Sequence, residues 1–177
     1  MKKAIFLDRD GTIIIDKNYL NDPGQIEYVP HIFEAFKLWQ ESGFCFVVIT
    51  NQSGIHKGIV QEENVAKIHQ KIAHRFLDNQ TPILEFYYAP HAADSDHPMR
   101  KPNPGMLLEA AKKYKIDLTQ SWMVGDKMSD VEAGHRAGCR SILYTYQSKE
   151  DGTHSSYIPA EILSDDILLA AQKSVSI

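Results

Sequence analysis

The sequence predicts an α/β fold, a three-layer α/β/α sandwich with a Rossmann-like, mainly parallel sheet, and three observations support this prediction. Short apolar runs alternate with longer stretches whose apolar residues recur at helical spacing. The run 44–50 is continuously apolar, as expected of a strand that is buried on both faces of a parallel sheet. Several runs end in polar residues, and parallel strands bring their carboxyl ends to one edge of the sheet.

The first predicted strand reaches residue 7 and stops at Asp8 and Asp10, where Gly11 permits a sharp exit. Residues 13–30 are rich in turn formers and predict a short flap. The other predicted strands cover 44–50, 83–88, 122–124 and 141–145. The predicted helices cover 31–42, 61–78, 104–114 and 129–137, with a closing helix after residue 158.

Asn103 is expected to cap its helix and Pro104 to occupy the first helical turn. We find no linker, repeat or low-complexity segment, so the elements form one predicted domain over residues 1–177.

The composition argues against several classes of protein. A formal net charge of −4 disfavours a nucleic-acid partner bound through a broad basic face. No apolar run approaches the roughly 20 residues of a membrane span, and the first run is too short for a signal peptide. Cys45 and Cys139 are expected to be buried free thiols. We therefore expect a cytoplasmic monomer without membrane or nucleic-acid partners.

Candidate functional residues follow from the strand ends. Asp8 and Asp10 stand at i and i+2 of an extended segment, so both carboxylates point to the same side. Thr50 ends the second predicted strand, Asp126 follows the fourth, and Lys101 precedes a helix. We expect these side chains to converge at one edge of the sheet.

Phosphoryl transfer requires such a set, because its transition state spreads negative charge that cations must hold. Asp8 can attack phosphorus and form an aspartyl-phosphate, and Asp10 can protonate the leaving alkoxide and later deprotonate water. Thr50 and Lys101 are expected to hold the remaining phosphoryl oxygens. Mg²⁺ is the predicted cofactor, with Asp8 and Asp126 as ligands, since it accepts carboxylate and phosphate oxygens.

The motifs at 8–12, Thr50, Lys101 and 125–130 resemble the four motifs of haloacid-dehalogenase-type (HAD) phosphatases. The longer strings at 5–13, 50–55, 100–106 and 123–127 are similar to those of the D-glycero-D-manno-heptose 1,7-bisphosphate phosphatases and of the related histidinol-phosphate phosphatases. The resemblance extends from the N-terminus to about residue 145.

This resemblance implies a HAD-like fold with no large cap domain, and a metal bond from the backbone carbonyl of Asp10. It implies removal of the 7-phosphate of D-glycero-D-manno-heptose 1,7-bisphosphate, in the synthesis of ADP- or GDP-heptose for the lipopolysaccharide core. Arg100 would hold the phosphate that does not react. The positions that match substrate contacts are Asp16, Lys17, Asn18, Tyr19, Asn51, Gln52, Ser53, Arg100 and Lys127.

The sequence departs from the family pattern in the loop 89–100. Family members usually bind zinc there through Cys-x-His and Cys-x-Cys, whereas this chain has Ala89 at the first cysteine position and lacks the second pair. His91 keeps its place. We expect the zinc site to be lost and the loop to be shortened, which leaves the exact substrate open.

Two alternatives remain open from the sequence. Histidinol phosphate, or another small sugar phosphate, is the alternative substrate. A receiver domain, which also uses a phosphorylated Asp with Mg²⁺, Thr and Lys, is the alternative protein class. The acid two residues after Asp8 favours turnover over a lasting phospho-Asp.

Overall fold

A computed structural model describes residues 1–154 and 156–177 as a six-stranded sheet with helices on both faces. The strands are β1 (Lys3–Leu7), β2 (Phe44–Asn51), β3 (Ile83–Ala89), β4 (Trp122–Gly125), β5 (Arg140–Tyr144) and β6 (Ile162–Ser164). The helices are α1 (Ile32–Glu41), α2 (Ser53–His56), α3 (Glu62–Asp78), α4 (Gly105–Tyr114), α5 (Met128–Ala137) and α6 (Ile167–Val175). The predicted sandwich is confirmed.

The sheet has the strand order β3-β2-β1-β4-β5-β6, and all adjacent strands are parallel. β1 lies between β2 and β4, so the chain proceeds to opposite sides of β1 in its two halves. This change of direction opens a crevice beyond the carboxyl ends of β1 and its neighbours, where open sheets bind ligands.

Side chains of β1 alternate between two hydrophobic cores, as a strand buried on both faces requires. Ile5 and Leu7 belong to a core with buried residues of α1, α3 and α6. Ala4 and Phe6 belong to a core with buried residues of α4 and α5. The two cores hold β1 rigidly, and with it the chain that leaves its carboxyl end.

The structure differs from the predicted elements in three places, and one of them is the four-residue helix α2, which was not among the predicted helices. Asn103 does not cap α4, which begins after Pro104; its amide nitrogen instead donates to the backbone and carboxylate oxygens of Asp96. The tail contains the unpredicted β6, a three-residue strand that pairs with β5. It was missed because three residues are too few to establish a period of two.

The two cysteines are free thiols as predicted: Cys139 is buried and Cys45 is partly buried. Among the described residues, no helix combines the length and the apolarity needed to cross a bilayer.

An aromatic cluster joins the flap to α3 and α1. The ring centroid of Phe76 on α3 lies 4.3 Å from that of Phe36, 5.0 Å from that of Phe33 and 6.0 Å from that of the flap residue Tyr28. Phe76 is fully buried, whereas its neighbour Leu77 is 59% exposed.

Truncation of Phe76 is therefore expected to create a cavity under the flap. We predict that Phe76→Ala lowers the free energy of unfolding by about 3–5 kcal/mol, and that Leu77→Ala, on the same helix turn, changes it by less than about 0.5 kcal/mol. Urea denaturation of both variants checks this. Equal losses would contradict the assigned packing.

Candidate active site

Three carboxylates meet at the carboxyl ends of the central strands. Asp8 directly follows β1 and Asp126 directly follows β4, and the amide of Asp8 donates to the carbonyl of Val124 at 2.9 Å. Asp130 comes from the first turn of α5. One carboxylate oxygen from each residue lies within 4.8 Å of the other two, and the three residues are 2–6% exposed. The predicted convergence of Asp8 and Asp126 is confirmed, and Asp130 joins them.

Gly11 makes this close approach possible. It has a φ of +83°, and a Cβ built on it would lie 2.6 Å from Oδ2 of Asp126. The turn is closed by its amide, which donates to the carbonyl of Ile14 at 2.7 Å. Both the backbone conformation and the space therefore require glycine at this position.

Lys101 compensates part of the buried negative charge. Its Nζ lies 2.7 Å from Oδ1 of Asp8 and 2.6 Å from Oδ1 of Asp130, and it also donates to the carbonyl of Ile49 at 2.7 Å. Burial alone would lower the pKa of Lys101, but Asp130 and Asp8 raise it above its ordinary value. Lys101 is therefore a fixed cation beside Asp8.

The backbone of Lys101 is held by Asn51 at the end of β2. The Asn51 amide nitrogen donates to the Lys101 carbonyl at 3.0 Å, and its oxygen accepts from the Lys101 amide at 3.1 Å. Asn51 thus positions Lys101, a role that its match to a substrate-contacting position did not reveal.

The donor set suits a hard divalent cation. Asp130 is already engaged, because Lys101 pairs with one of its oxygens and the amide of Lys127 donates to the other. Oδ1 of Asp126 is buried and has no hydrogen-bond partner among the described residues. Burial, Asp8 and Asp130 raise the pKa of Asp126 to about 8. A cation held by Asp8 and Asp126 would satisfy this oxygen and relieve the repulsion between the carboxylates.

Asp10 lies outside this group of three carboxylates. Arg9 and Gln52 donate to its carboxylate, so any bond from Asp10 to a metal falls to its backbone carbonyl. Burial and Asp8 raise the pKa of Asp10, whereas Arg9 and Gln52 oppose this rise. Its side chain is 18% exposed and borders the cavity described next, so it can exchange a proton with a bound molecule.

A cavity of about 370 Å³ opens above Asp8. It is lined by residues from the ends of β1 and β2, from the flap and from the segments before α4 and α5. The predicted substrate-contacting residues that line it are Asp16, Asn18, Tyr19, Asn51, Gln52, Ser53, Arg100 and Lys127.

Lys17 was also predicted to contact the substrate, but it does not line this cavity. Its Nζ lies 2.6 Å from a carboxylate oxygen of Glu27, and its side chain lines a separate cleft with residues 24–27. Asn18 and Tyr19 have positive φ values of 54° and 71°, so the chain turns directly after Lys17, and a run of matched positions does not reveal such a turn. Thr50 also differs: it is 1% exposed, and its hydroxyl accepts from Gln52 at 2.9 Å beneath the cavity lining.

The flap is fastened over the cavity by a contact that the sequence did not indicate. Nζ of Lys57, just after α2, donates to the Tyr19 hydroxyl at 2.5 Å. A Cβ on Gly54 would lie 2.7 Å from Cδ1 of Tyr19, so glycine allows the ring to lie flat against α2. Lys57 thereby lowers the pKa of Tyr19.

Residues 90–104 form the other side of the cavity. The rings of His91 and His97 stack at 3.6 Å between centroids, and the amide of Arg100 donates to the carbonyl of His97 at 2.8 Å. The side chain of Asn103 closes the loop through its bonds to Asp96 and to the carbonyl of His97. Hydrogen bonds within the loop therefore orient Arg100; the absence of zinc here stays a prediction.

Comparison with known proteins identifies the family. The family model described as HAD-hydrolase-like matches residues 98–170. The chain is 36% identical over 174 residues to the D-glycero-beta-D-manno-heptose-1,7-bisphosphate 7-phosphatase of Pasteurella multocida, covering 93% of this chain and 95% of that protein.

Two solved structures have the same fold. The putative HAD-like phosphatase of Mesorhizobium loti matches with a TM-score of 0.80 and 33% identity, over 98% of this chain and 86% of that one. The D,D-heptose 1,7-bisphosphate phosphatase of B. bronchiseptica, complexed with magnesium and phosphate, matches with a TM-score of 0.86 and 26% identity, over 98% of each chain. The chain therefore belongs to the D-glycero-β-D-manno-heptose-1,7-bisphosphate 7-phosphatase family of HAD-like hydrolases.

Proposed function

We propose that this chain removes the 7-phosphate of D-glycero-β-D-manno-heptose 1,7-bisphosphate through an aspartyl-phosphate at Asp8, with Mg²⁺. The observation that carries the proposal is the buried group of Asp8, Asp126 and Asp130 with Lys101, at the floor of a cavity. Family membership supports the substrate, and its product would serve the synthesis of nucleotide-activated heptose.

The first step transfers the phosphoryl group. An oxygen of the Asp8 carboxylate attacks phosphorus, the bond from phosphorus to O7 of the sugar breaks, and Asp10 protonates the leaving alkoxide. In the second step Asp10 takes a proton from water, which attacks phosphorus and releases phosphate and Asp8. Asp10 borders the cavity in a position that is compatible with both transfers.

Fixed cations lower the cost of bringing a phosphate to Asp8. Lys101 contributes an ammonium group beside Asp8, and Lys127 lines the cavity from the start of α5. Thr50 can donate its hydroxyl hydrogen, since its oxygen only accepts in the contact with Gln52. Mg²⁺, held by Asp8, Asp126 and the Asp10 carbonyl, would supply charge neutralisation and orient the phosphoryl oxygens.

Substrate selection falls to the cavity rim. Arg100 lines the cavity together with the flap residues Asn18 and Tyr19, and its planar guanidinium can bind the 1-phosphate with two parallel hydrogen bonds. Asp16, Asn18 and Ser53 offer oxygen and amide groups that suit sugar hydroxyls. Histidinol phosphate has one phosphate and leaves Arg100 without an anionic partner.

The pKa of Asp126 leads to a test of the metal site. A carboxyl whose pKa rises from 3.8 unfolded to about 8 folded binds protons more tightly in the folded state, so between these pH values rising pH lowers the free energy of unfolding. We predict that Asp126→Asn, without Mg²⁺, is more stable than the wild type at pH 8, and that this difference shrinks toward pH 5.

With Mg²⁺ the wild type should become more stable than Asp126→Asn, because Mg²⁺ stabilises only the protein that keeps the Asp126 carboxylate. Thermal unfolding with and without MgCl₂ at each pH measures this. Equal stabilisation of both proteins by Mg²⁺ would remove Asp126 from the metal site.

The two acids of the first motif have separable roles. We predict that Asp8→Asn abolishes phosphate release and that Asp10→Asn lowers kcat by about 10²–10⁴-fold, with both variants folded by circular dichroism. Lys17→Ala, whose side chain is directed away from the cavity, should retain wild-type turnover. Wild-type turnover by Asp8→Asn would refute the assignment of Asp8 as the nucleophile. A lasting phospho-Asp in the wild type, with no turnover, would indicate a receiver domain instead.

Arg100 provides the test of the substrate. We predict that Arg100→Ala lowers kcat/KM for the heptose bisphosphate by about 10–100-fold, the loss of a charge-assisted hydrogen-bond pair. For the heptose 7-monophosphate the change should be less than about threefold. Catalytic efficiencies for both heptose bisphosphate anomers, histidinol phosphate and fructose bisphosphate complete the comparison. A preference for histidinol phosphate would overturn the proposed substrate.

A further inference from the structure

Arg9, between the two catalytic acids, is a buried cation to which the sequence assigned no role. It is 1% exposed and ranks among the largest fully buried side chains of the described residues. A guanidinium out of water must be paired and hydrogen-bonded, since an unpaired buried charge is strongly destabilising. Its partners therefore indicate what it does.

Arg9 fixes the carboxylate of Asp10. Its Nε donates to Oδ2 of Asp10 at 3.0 Å, and its Nη2 donates to Oδ1 at 3.2 Å. Gln52 closes the arrangement: its Nε2 donates to Oδ2 of Asp10 at 2.9 Å, while its Oε1 accepts from Nη2 of Arg9 at 3.1 Å. Two parallel bonds from a planar group determine the plane of the carboxylate as well as its position.

The remaining partner is His69, from the middle of α3. Its Nε2 lies 3.2 Å from Nη1 of Arg9. Because a guanidinium can only donate, Nε2 must accept, so the imidazole is neutral and carries its proton on Nδ1. Burial and Arg9 lower the pKa of His69 to about 3, in agreement with this state.

His69 is itself held in a fixed orientation. It is 8% exposed, its ring stacks on Phe86 of β3 at 4.8 Å between centroids, and the ring of Tyr88 meets it edge-on at 5.9 Å. A rigid ring, packed on a strand of the sheet, thus determines where Nη1 of Arg9 can lie.

We infer that His69 is a positioning residue for the proton-transferring Asp10, acting through Arg9. Its neutral Nε2 holds the guanidinium, and the guanidinium holds the carboxylate in the orientation that reaches the leaving oxygen and then the attacking water. The inference depends on the proposed role of Asp10. It concerns a residue on a helix outside the four motifs.

The test uses two substitutions at one site. His69→Phe keeps the ring and its stacking but removes the acceptor, whereas His69→Gln retains an acceptor at the position of Nε2. We expect His69→Phe to lower kcat for the sugar bisphosphate by about 10-fold or more, a part of the range for general acid–base catalysis. KM should change less than about threefold, and His69→Gln should recover most of kcat. His74→Phe, an exposed position on the same helix, is the control and should match the wild type.

A second substrate separates positioning from a general structural defect. p-Nitrophenolate leaves without a proton, so formation of the aspartyl-phosphate from p-nitrophenyl phosphate should proceed in His69→Phe at the wild-type rate. Attack by water still needs Asp10, so the intermediate should accumulate, and a burst of p-nitrophenolate should precede a slower steady state. Equal slowing of both phases would mean a structural role and would overturn the inference.

The remaining outcomes are equally decisive. The inference is overturned if His69→Phe keeps the wild-type kcat, or if His69→Gln is as impaired as His69→Phe. Neither result affects the proposed function as long as Asp10→Asn shows the predicted loss of kcat. Wild-type kcat in Asp10→Asn would overturn both the proposed role of Asp10 and this inference. If His69→Phe does not fold, Arg9→Lys, which keeps the charge but loses the planar fork, should give the same burst; a wild-type time course in that variant overturns the inference.

Discussion

Concentrated negative charge at the ends of β1 and β4 is the constraint on which the rest of the site depends. Three buried carboxylates share a space less than 5 Å across, and one ammonium group, that of Lys101, lies among them. A buried carboxylate oxygen without a partner is costly, and Oδ1 of Asp126 has no hydrogen-bond partner among the described residues. The three carboxylates therefore suit a metal ion. Gly11 supports this arrangement because it makes room for Asp126, and Asn51 supports it because it anchors Lys101.

The site divides into a rigid and an adaptable half. Asp8, Asp126 and Asp130 follow central strands or begin α5, and two hydrophobic cores fix those elements. Arg100 and Tyr19 come from segments without regular structure, held by local contacts such as the one between Lys57 and Tyr19. Chemistry that a superfamily shares needs the rigid support of strands and helices. Recognition of one sugar phosphate can vary in segments without regular structure.

The sequence predicted most of the sheet and the central acids, because buried parallel strands are long apolar runs and their carboxyl ends must meet. It failed where orientation depends on tertiary contacts. Lys17 shares a matched string with Asn18 and Tyr19, yet pairs with Glu27 outside the cavity. Asn103 has the chemistry of a cap and bonds to Asp96 instead. His69 carried no signal, since its contact with Arg9 spans 60 residues of chain.

The contacts of the loop 90–104 have a consequence for redesign. Asn103 ties the loop to itself, and only Ala93, Arg100, Lys101 and Pro102 from this segment reach the cavity. No strand pairing depends on residues 90–97, whereas the Pro98 carbonyl accepts from the amide of Gly105 at the start of α4 and Met99 packs against the core beside that helix. An exchange of this segment between relatives should therefore cover 90–97 and keep 98–105. Chimaeras of this kind would change His91 and His97, which hold Arg100, while Arg100 itself and the acid-lined floor of the cavity stay the same.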